Sequence, residues 1–555
     1  MRGFVWICLL GAPLGLVLGC GPSREADLEG VLAGFSADTL ARHIQVLSSD
    51  AFEGRRPGTR GETLTVRYVE SVFRRLGLEP GNPNGTYVQE VPLVAITTDP
   101  GSALVRFVRG GRRLDLAYAD EVVVNTRQVR DSVRLENAEV VFVGYGVNAP
   151  EVGWNDYKTD VRGKVVLVLI NDPDYETADS SRFRGKAMTY YGRWTYKFEE
   201  ASRQGAAACF IIHEEGPAGY PWATVRNSWT GPQFNLESPD GNASRVPLEG
   251  WITWEKAREL FRLAGLDLDA LKSQAQSPDF RPVSLGGVRF TGQVRTRIER
   301  VRSRNVIAKL TGSKRPEEYV LYVAHWDHLG RDTTLQGDQI FNGAVDNASG
   351  TAGLLELARA FARLRHRPER TVLFLAVTAE EQGLLGSAYY AENPLYPLAQ
   401  TVAVLNLDGM NVYGRTRDLV VIGYGQNELE DMALPIVQKQ GRQVRPDPEP
   451  EKGFYYRSDH FSFAKKGVPA FYAEGGEAYV GKPEGYGREV RARYTAERYH
   501  RPQDEFDPAW DLSGAVEDLQ LYFELGWRLA NSAQWPNWKP GSEFKAIRDA
   551  MRRPA

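Results

Sequence analysis

The chain is poor in cysteine, methionine and histidine: 555 residues include only 3, 5 and 7 of them. So few thiols exclude a disulfide framework, and stability must come from a large hydrophobic core. Neither sign of charge is in excess, with 68 Lys and Arg against 71 Asp and Glu and a formal net charge of -3. The basic face of a nucleic-acid binder is therefore not expected. Internal repeats and low-complexity segments are also lacking. What is present is ordinary globular composition, 42% hydrophobic, 11% aromatic and 25% charged. A chain of this length exceeds one core and implies two or three domains.

The N-terminal stretch "MRGFVWICLLGAPLGLVLGC" pairs Arg2 with an apolar run too short and Gly-rich for a stable membrane span. It resembles a bacterial lipoprotein signal, with Val17, Leu18, Gly19 and Cys20 matching the lipobox. The resemblance implies cleavage before Cys20, lipidation of that thiol, and a mature protein tethered to a membrane outside the cytoplasm. Gly21 after the cysteine leans toward the outer membrane or its periplasmic face. Residues 1–20 are then signal rather than fold. Cys209, within "GAAACFIIH", reads as a small buried hydrophobe.

Two helical segments follow, around "DTLARHIQVL" and "GETLTVRYVESVFRRLG". Residues 21–137 are read as the N-terminal part of the main domain. Residues 138–289 carry their own alternation of strands and helices, from "AEVVFVGYGV" through "KVVLVLIN" to "GAAACFIIH", and read as an inserted module. Residues 290–555 alternate apolar strands with amphipathic helices, which predicts an α/β domain around a mostly parallel sheet.

Such sheets gather their sites at the carboxyl ends of the strands. "YVLYVAHWDHLG" ends in His325, Asp327 and His328; "RTVLFLAVTAEEQG" ends in Glu380 and Glu381; "TVAVLNLDGM" ends in Asp408. Asp346 follows in the Gly-bracketed "FNGAVDNASG" before a helix. Singly these are solvated helix starts and N-caps. Converging on one sheet edge, they are the donor set of a two-metal hydrolytic site, in which a bridging carboxylate lets two dications sit close together. Asp327, two residues from His325 on the same side of an extended chain, is placed to orient that imidazole.

The motifs "HWDHLG", "GAVDNASG", "TAEEQGLLGS", "NLDGM", "RSDHFSF" and "YHRPQDEFD" resemble, in order and spacing, those of the co-catalytic zinc exopeptidases. That family includes bacterial leucyl aminopeptidases, glutamate carboxypeptidase and the transferrin receptor. Upstream, "SSDAFEGRRPGTRGE" and "LGLEPGNPNGTYVQEVPLV" resemble its N-terminal segment, and 138–289 resembles its protease-associated domain. The resemblance implies an α/β/α sandwich around a mixed, mostly parallel sheet with that smaller α/β domain inserted. It implies two zinc ions per chain, Asp346 bridging them, His325 and Asp408 on one, Glu381 and His500 on the other. Glu380 is then the base acting with a hydroxide bridging the zincs, and Asp327 orients His325. A cis peptide from Asp346 to Asn347 is also implied. His500 rests on the resemblance alone.

The function so implied is an aminopeptidase acting on peptides. A carboxypeptidase or a glutaminyl cyclase on the same fold, or a non-catalytic binding protein, stay open as alternatives; a full ligand set argues against the last. Tyr455, Tyr456 and His460 in "GFYYRSDHF" are the candidate substrate wall. Residue preference, oligomeric state and the native metal are not fixed by the sequence.

Overall fold

The computed structural model describes residues 24–553, so Cys20 and its lipobox lie outside the described residues. Among the described residues no helix is long and apolar enough to cross a membrane.

The main sheet is built from strands that read as unbroken apolar runs because both faces are covered. Arg315–His325 lies between Arg370–Val377 and Thr401–Asn406, parallel to both, and Ala470–Gly475 continues the parallel order. Antiparallel strands finish each side: the end of Val283–Leu310 against Arg370–Val377, and Asp418–Val421 against Ala470–Gly475. Side chains alternate across the pleat. Val320, Tyr322 and Ala324 enter one core with Val372, Phe374 and Ala376, while Leu321, Val323, Leu373 and Leu375 enter the core on the other face.

Helices Gly350–Ala362 and Ser513–Ala530 cover the first face. The rings of Tyr322 and Phe374 stack at 5.7 Å between centroids, and Phe361 meets Phe523 edge-on at 4.8 Å. Ser513–Ala530 approaches closely where it has Gly526. A Cβ there would stand 1.7 Å from the Tyr322 hydroxyl, which donates to the Tyr522 carbonyl at 2.8 Å.

A second sheet has its own two cores. Ser132–Phe142, Val165–Leu169, Ala208–His213 and Leu248–Thr253 run parallel in that order, with helices Trp194–Arg203 and Trp254–Ala264 beside them. This unit begins before the expected boundary at 138. Leu104–Arg109, Arg112–Asp115 and Val122–Asn125 hydrogen-bond into its sheet, and Val105, Phe107, Val122 and Val124 bury in its core. With only the single 3-10 turn Pro100–Ser102 between them and the preceding strand, these short β runs read in sequence as its continuation; burial assigns them elsewhere. Nor does the chain break at 289, because Val283–Leu310 is one strand that pairs in the second sheet at its start and in the main sheet at its end. Val88–Thr98 runs antiparallel beside its later half.

The close approach at Gly526 has a measurable cost if filled. Gly526→Ala is expected to lower unfolding free energy by about 1–3 kcal/mol through overpacking. The loss should be smaller in a Tyr322→Phe background; equal losses in both, measured by denaturant unfolding, would discount the contact.

Candidate metal centre

Each strand of the parallel set delivers its last residues to one edge, and the connection after Arg315–His325 brings Asp346 there too. His325, 1% exposed, lies at the centre. Its Nε2 is 3.3 Å from Asp408 Oδ1, 3.4 Å from Asp346 Oδ1 and 3.9 Å from Glu380 Oε2. His500 Nε2 faces the same cluster from the other side, 3.2 Å from Asp346 Oδ2 and 3.0 Å from Glu381 Oε2. The two oxygens of Asp346 thus turn toward different imidazoles.

These spacings fit divalent cations. Ligand atoms about 2 Å from a tetrahedral ion lie about 3.3 Å from one another. His325, Asp346 and Glu381 form one group whose ligand atoms all lie within 4.8 Å of one another, and His325, Glu380 and Asp408 form a second. Nitrogen and carboxylate donors without a thiolate suit zinc and also cobalt or manganese.

The neighbours of the donors fix their orientation. Ser458 donates to Asp408 Oδ2 at 2.5 Å, and His328 Nδ1 is paired with Glu381 Oε1 at 2.6 Å. Asp504 accepts from the backbone N–H groups of Val345 and Asp346 at 3.1 Å each, which holds the loop that carries Asp346 in place. The peptide between Asp346 and Asn347 is cis, as the resemblance implied. Asp327 departs from its expected contact: its Oδ1 stands 3.8 Å from His325 Nδ1 and accepts instead from the Glu380 N–H at 3.0 Å. The ring nitrogen is nearer the Asp327 main-chain carbonyl, at 3.3 Å. Asp327 therefore braces the turn that carries Glu380.

Electrostatics follow from burying so many acids together. Burial opposes charge on His325, yet Glu380, Asp408 and Asp346 overcome it and hold the imidazole well above its ordinary value. Glu381 and Asp346 do the same for His500. Burial, aided by the charges of Asp408 and Glu381, keeps the Glu380 carboxyl well above the usual carboxylate range. Asp327 is pushed up to about 8 and Asp459 to about 7, both chiefly by burial. Against burial and the Asp346 charge, His500 and His328 hold Glu381 down to about 2.

The structure brings together His325, Asp346, Glu380, Glu381, Asp408 and His500, with Asp327 behind them. It does not leave Tyr455, Tyr456 and His460 as an open wall. They are 4%, 3% and 0% exposed: Tyr455 and Tyr456 pack with Phe461, Trp538 and Phe544, and His460 lies against Tyr455 and Tyr472, because the rings bury more apolar surface inward than a shallow rim allows. The aromatic side chain that is open at the site is Tyr499, 45% exposed and stacked on His500 with ring centroids 3.9 Å apart. The second unit closes one flank: Tyr190 meets Phe461 edge-on at 5.1 Å, and Lys465 pairs with Glu199 at 2.8 Å. Asp504, Asp459 and Ser458 were not singled out from sequence, though all three lie inside motifs that were.

The chain is similar to known metal-dependent peptidases. Residues 305–524 match Peptidase family M28. A probable zinc metalloprotease of Pyrenophora teres f. teres is 38% identical over 122 residues, 22% of this chain and 25% of that protein. The glutamate carboxypeptidase 2 homolog of Caenorhabditis briggsae is 24% identical over 431 residues, 69% of this chain and 52% of that protein. Aminopeptidase NAALADL1 of Mus musculus is 34% identical over 171 residues, covering 28% and 22%. The matched stretches thus span between a quarter and about half the length of the first and second of these relatives. Among solved structures, the aminopeptidase from Aneurinibacillus sp. strain AM-1 aligns over 92% of this chain and 97% of its own, with a TM-score of 0.49 and 20% identity. His325, Asp346, Glu380, Glu381, Asp408 and His500 all lie inside the span, residues 305–524, that matches Peptidase family M28.

Proposed function

We propose that the protein is a di-zinc exopeptidase, an aminopeptidase in the first instance, that removes N-terminal residues from peptides. The observation that carries this is the divided carboxylate of Asp346, with Oδ1 at 3.4 Å from one imidazole and Oδ2 at 3.2 Å from the other. His325 and Asp408 would hold one ion, His500 and Glu381 the other, and Asp346 both. Two bound dications supply the positive charge that polarises the scissile carbonyl and makes water a nucleophile near neutral pH.

The chain's own groups move the proton and shape the site. Glu380, which has no ligand role in this assignment, is the base: its carboxylate takes a proton from the attacking water and returns it to the departing amine nitrogen. A buried carboxyl held above its usual range binds that proton long enough to deliver it. His328 and Ser458 keep Glu381 and Asp408 turned inward. Tyr499, over His500 at the mouth, offers the substrate an aromatic surface and a phenol donor.

Glu380→Gln should lower kcat by about 10²–10⁴ while two zinc ions remain bound. Cleavage of aminoacyl-nitroanilides that requires a free amine supports the aminopeptidase. Cleavage only of N-blocked substrates with a free carboxylate moves the assignment to a carboxypeptidase, and cyclisation of N-terminal glutamine without hydrolysis moves it to a cyclase.

Metal binding should also be strongly pH-dependent. The surrounding carboxylates raise His325 and His500, and a metal takes only neutral imidazole. Loading the pair should then release protons, and affinity should weaken as pH falls. Calorimetry in buffers of different ionisation heat reads this directly; an affinity unchanged between pH 6 and 8 would contradict it.

Localisation is proposed from the lipobox alone: Cys20 carries lipid, and the enzyme works outside the cytoplasm. Mass spectrometry of the mature N-terminus decides it.

A further inference from the structure

Arg55 lies some 250 residues before the matched family span, in "SSDAFEGRRPGTRGE", yet its guanidinium sits 1% exposed beneath the metal centre. Nε donates to the Trp326 carbonyl at 2.9 Å, Nη2 to Gly343 at 2.8 Å, and Nη1 to Asn342 at 2.6 Å and Leu47 at 2.8 Å. Every acceptor is a main-chain carbonyl. Trp326 stands between His325 and Asp327; Asn342 and Gly343 open the loop that ends in Asp346. One planar fork therefore joins the strand end bearing one ligand to the loop bearing the bridge.

The surroundings press this segment into place. Gly54 and Arg55 both take the left-handed backbone, at φ 65° and 52°. A Cβ on Gly54 would lie 2.4 Å from the Gly330 carbonyl oxygen and 2.6 Å from that of Phe341, so only glycine allows the approach. A non-glycine residue in that region persists where its surroundings over-determine it. Arg55 also brings a permanent cation to a site of acids: the charges acting on it belong to Asp327, Asp346, Asp504 and Glu381. None of them takes it as a hydrogen-bonded partner, so Asp346 and Glu381 keep their oxygens for the metals.

We propose that Arg55 is a positioning residue of the metal centre, fixing the spacing of His325 and Asp346 through their main chains and offsetting the carboxylate charge without occupying a ligand. Lysine cannot replace it, since a point ammonium does not span carbonyls on two loops as the fork does. The inference rests on the reading of the site as a two-metal centre.

The test uses the full chain in its wild-type, Arg55→Lys, Arg55→Met and Arg60→Met forms. Arg60 makes an exposed ion pair with Glu53 in the same segment and serves as control. Zinc and cobalt affinities are measured against a chromophoric chelator, with the visible spectrum of the cobalt form as a report on ligand geometry and thermal unfolding of the metal-free protein as a check on folding. Arg55→Lys is expected to fold, to lose about 10–100-fold in affinity for the weaker-bound ion, and to show an altered cobalt spectrum. Its kcat should fall with KM little changed, while Arg60→Met stays at wild type. Arg55→Met should lose more; if it does not fold, Arg55→Lys decides. Wild-type affinities and spectrum in Arg55→Lys would overturn the proposal. A wild-type chain that binds no divalent ion would instead overturn the metal-centre reading itself.

Discussion

Carboxylates crowded at one buried edge of a sheet repel one another and lose their hydration, a cost that must be offset by cations or protons. Asp327, Asp346, Glu380, Glu381, Asp408, Asp459 and Asp504 are all drawn into this position. Much of the surrounding structure is an answer to that cost. Carboxylates raise the imidazoles of His325 and His500, burial pushes the Glu380, Asp327 and Asp459 carboxyls up, and Asp504 spends its oxygens on backbone N–H groups. Divalent ions satisfy the same demand more completely, because each adds two charges where a proton adds one.

The features that manage this charge come from distant parts of the chain, which is why they differ in how well the sequence displays them. The strand ends were legible. A parallel sheet buried on both faces writes itself as apolar runs, and polar residues at their ends stand out, so His325, Glu380, Glu381 and Asp408 were placed from pattern and Asp346 from its glycine-bracketed loop. His500 lies on no strand, has a left-handed backbone at φ 57°, and was found only through its motif. The supports were illegible for a stated reason: Asp504 acts across 158 residues of sequence and Arg55 across 271, and no local periodicity records such contacts. The aromatic run at 454–456 misled in the opposite sense, since composition alone does not say whether rings face a substrate or one another. The boundary at 138 erred similarly, because a short strand carries no mark of the sheet it joins.

The attachment of the second unit sets how it can influence substrate. Val88–Thr98 and the later half of Val283–Leu310 form an antiparallel ribbon, and at its tip Thr98 pairs with Thr296 while the Asp99 N–H donates to the Arg295 carbonyl at 2.9 Å. The whole unit therefore grows from the place where an ordinary hairpin would have turned back on itself. A graft with two stems that leave side by side cannot spin about its base as a bead on a single linker does. Whatever surface it presents to a peptide arrives at a set angle.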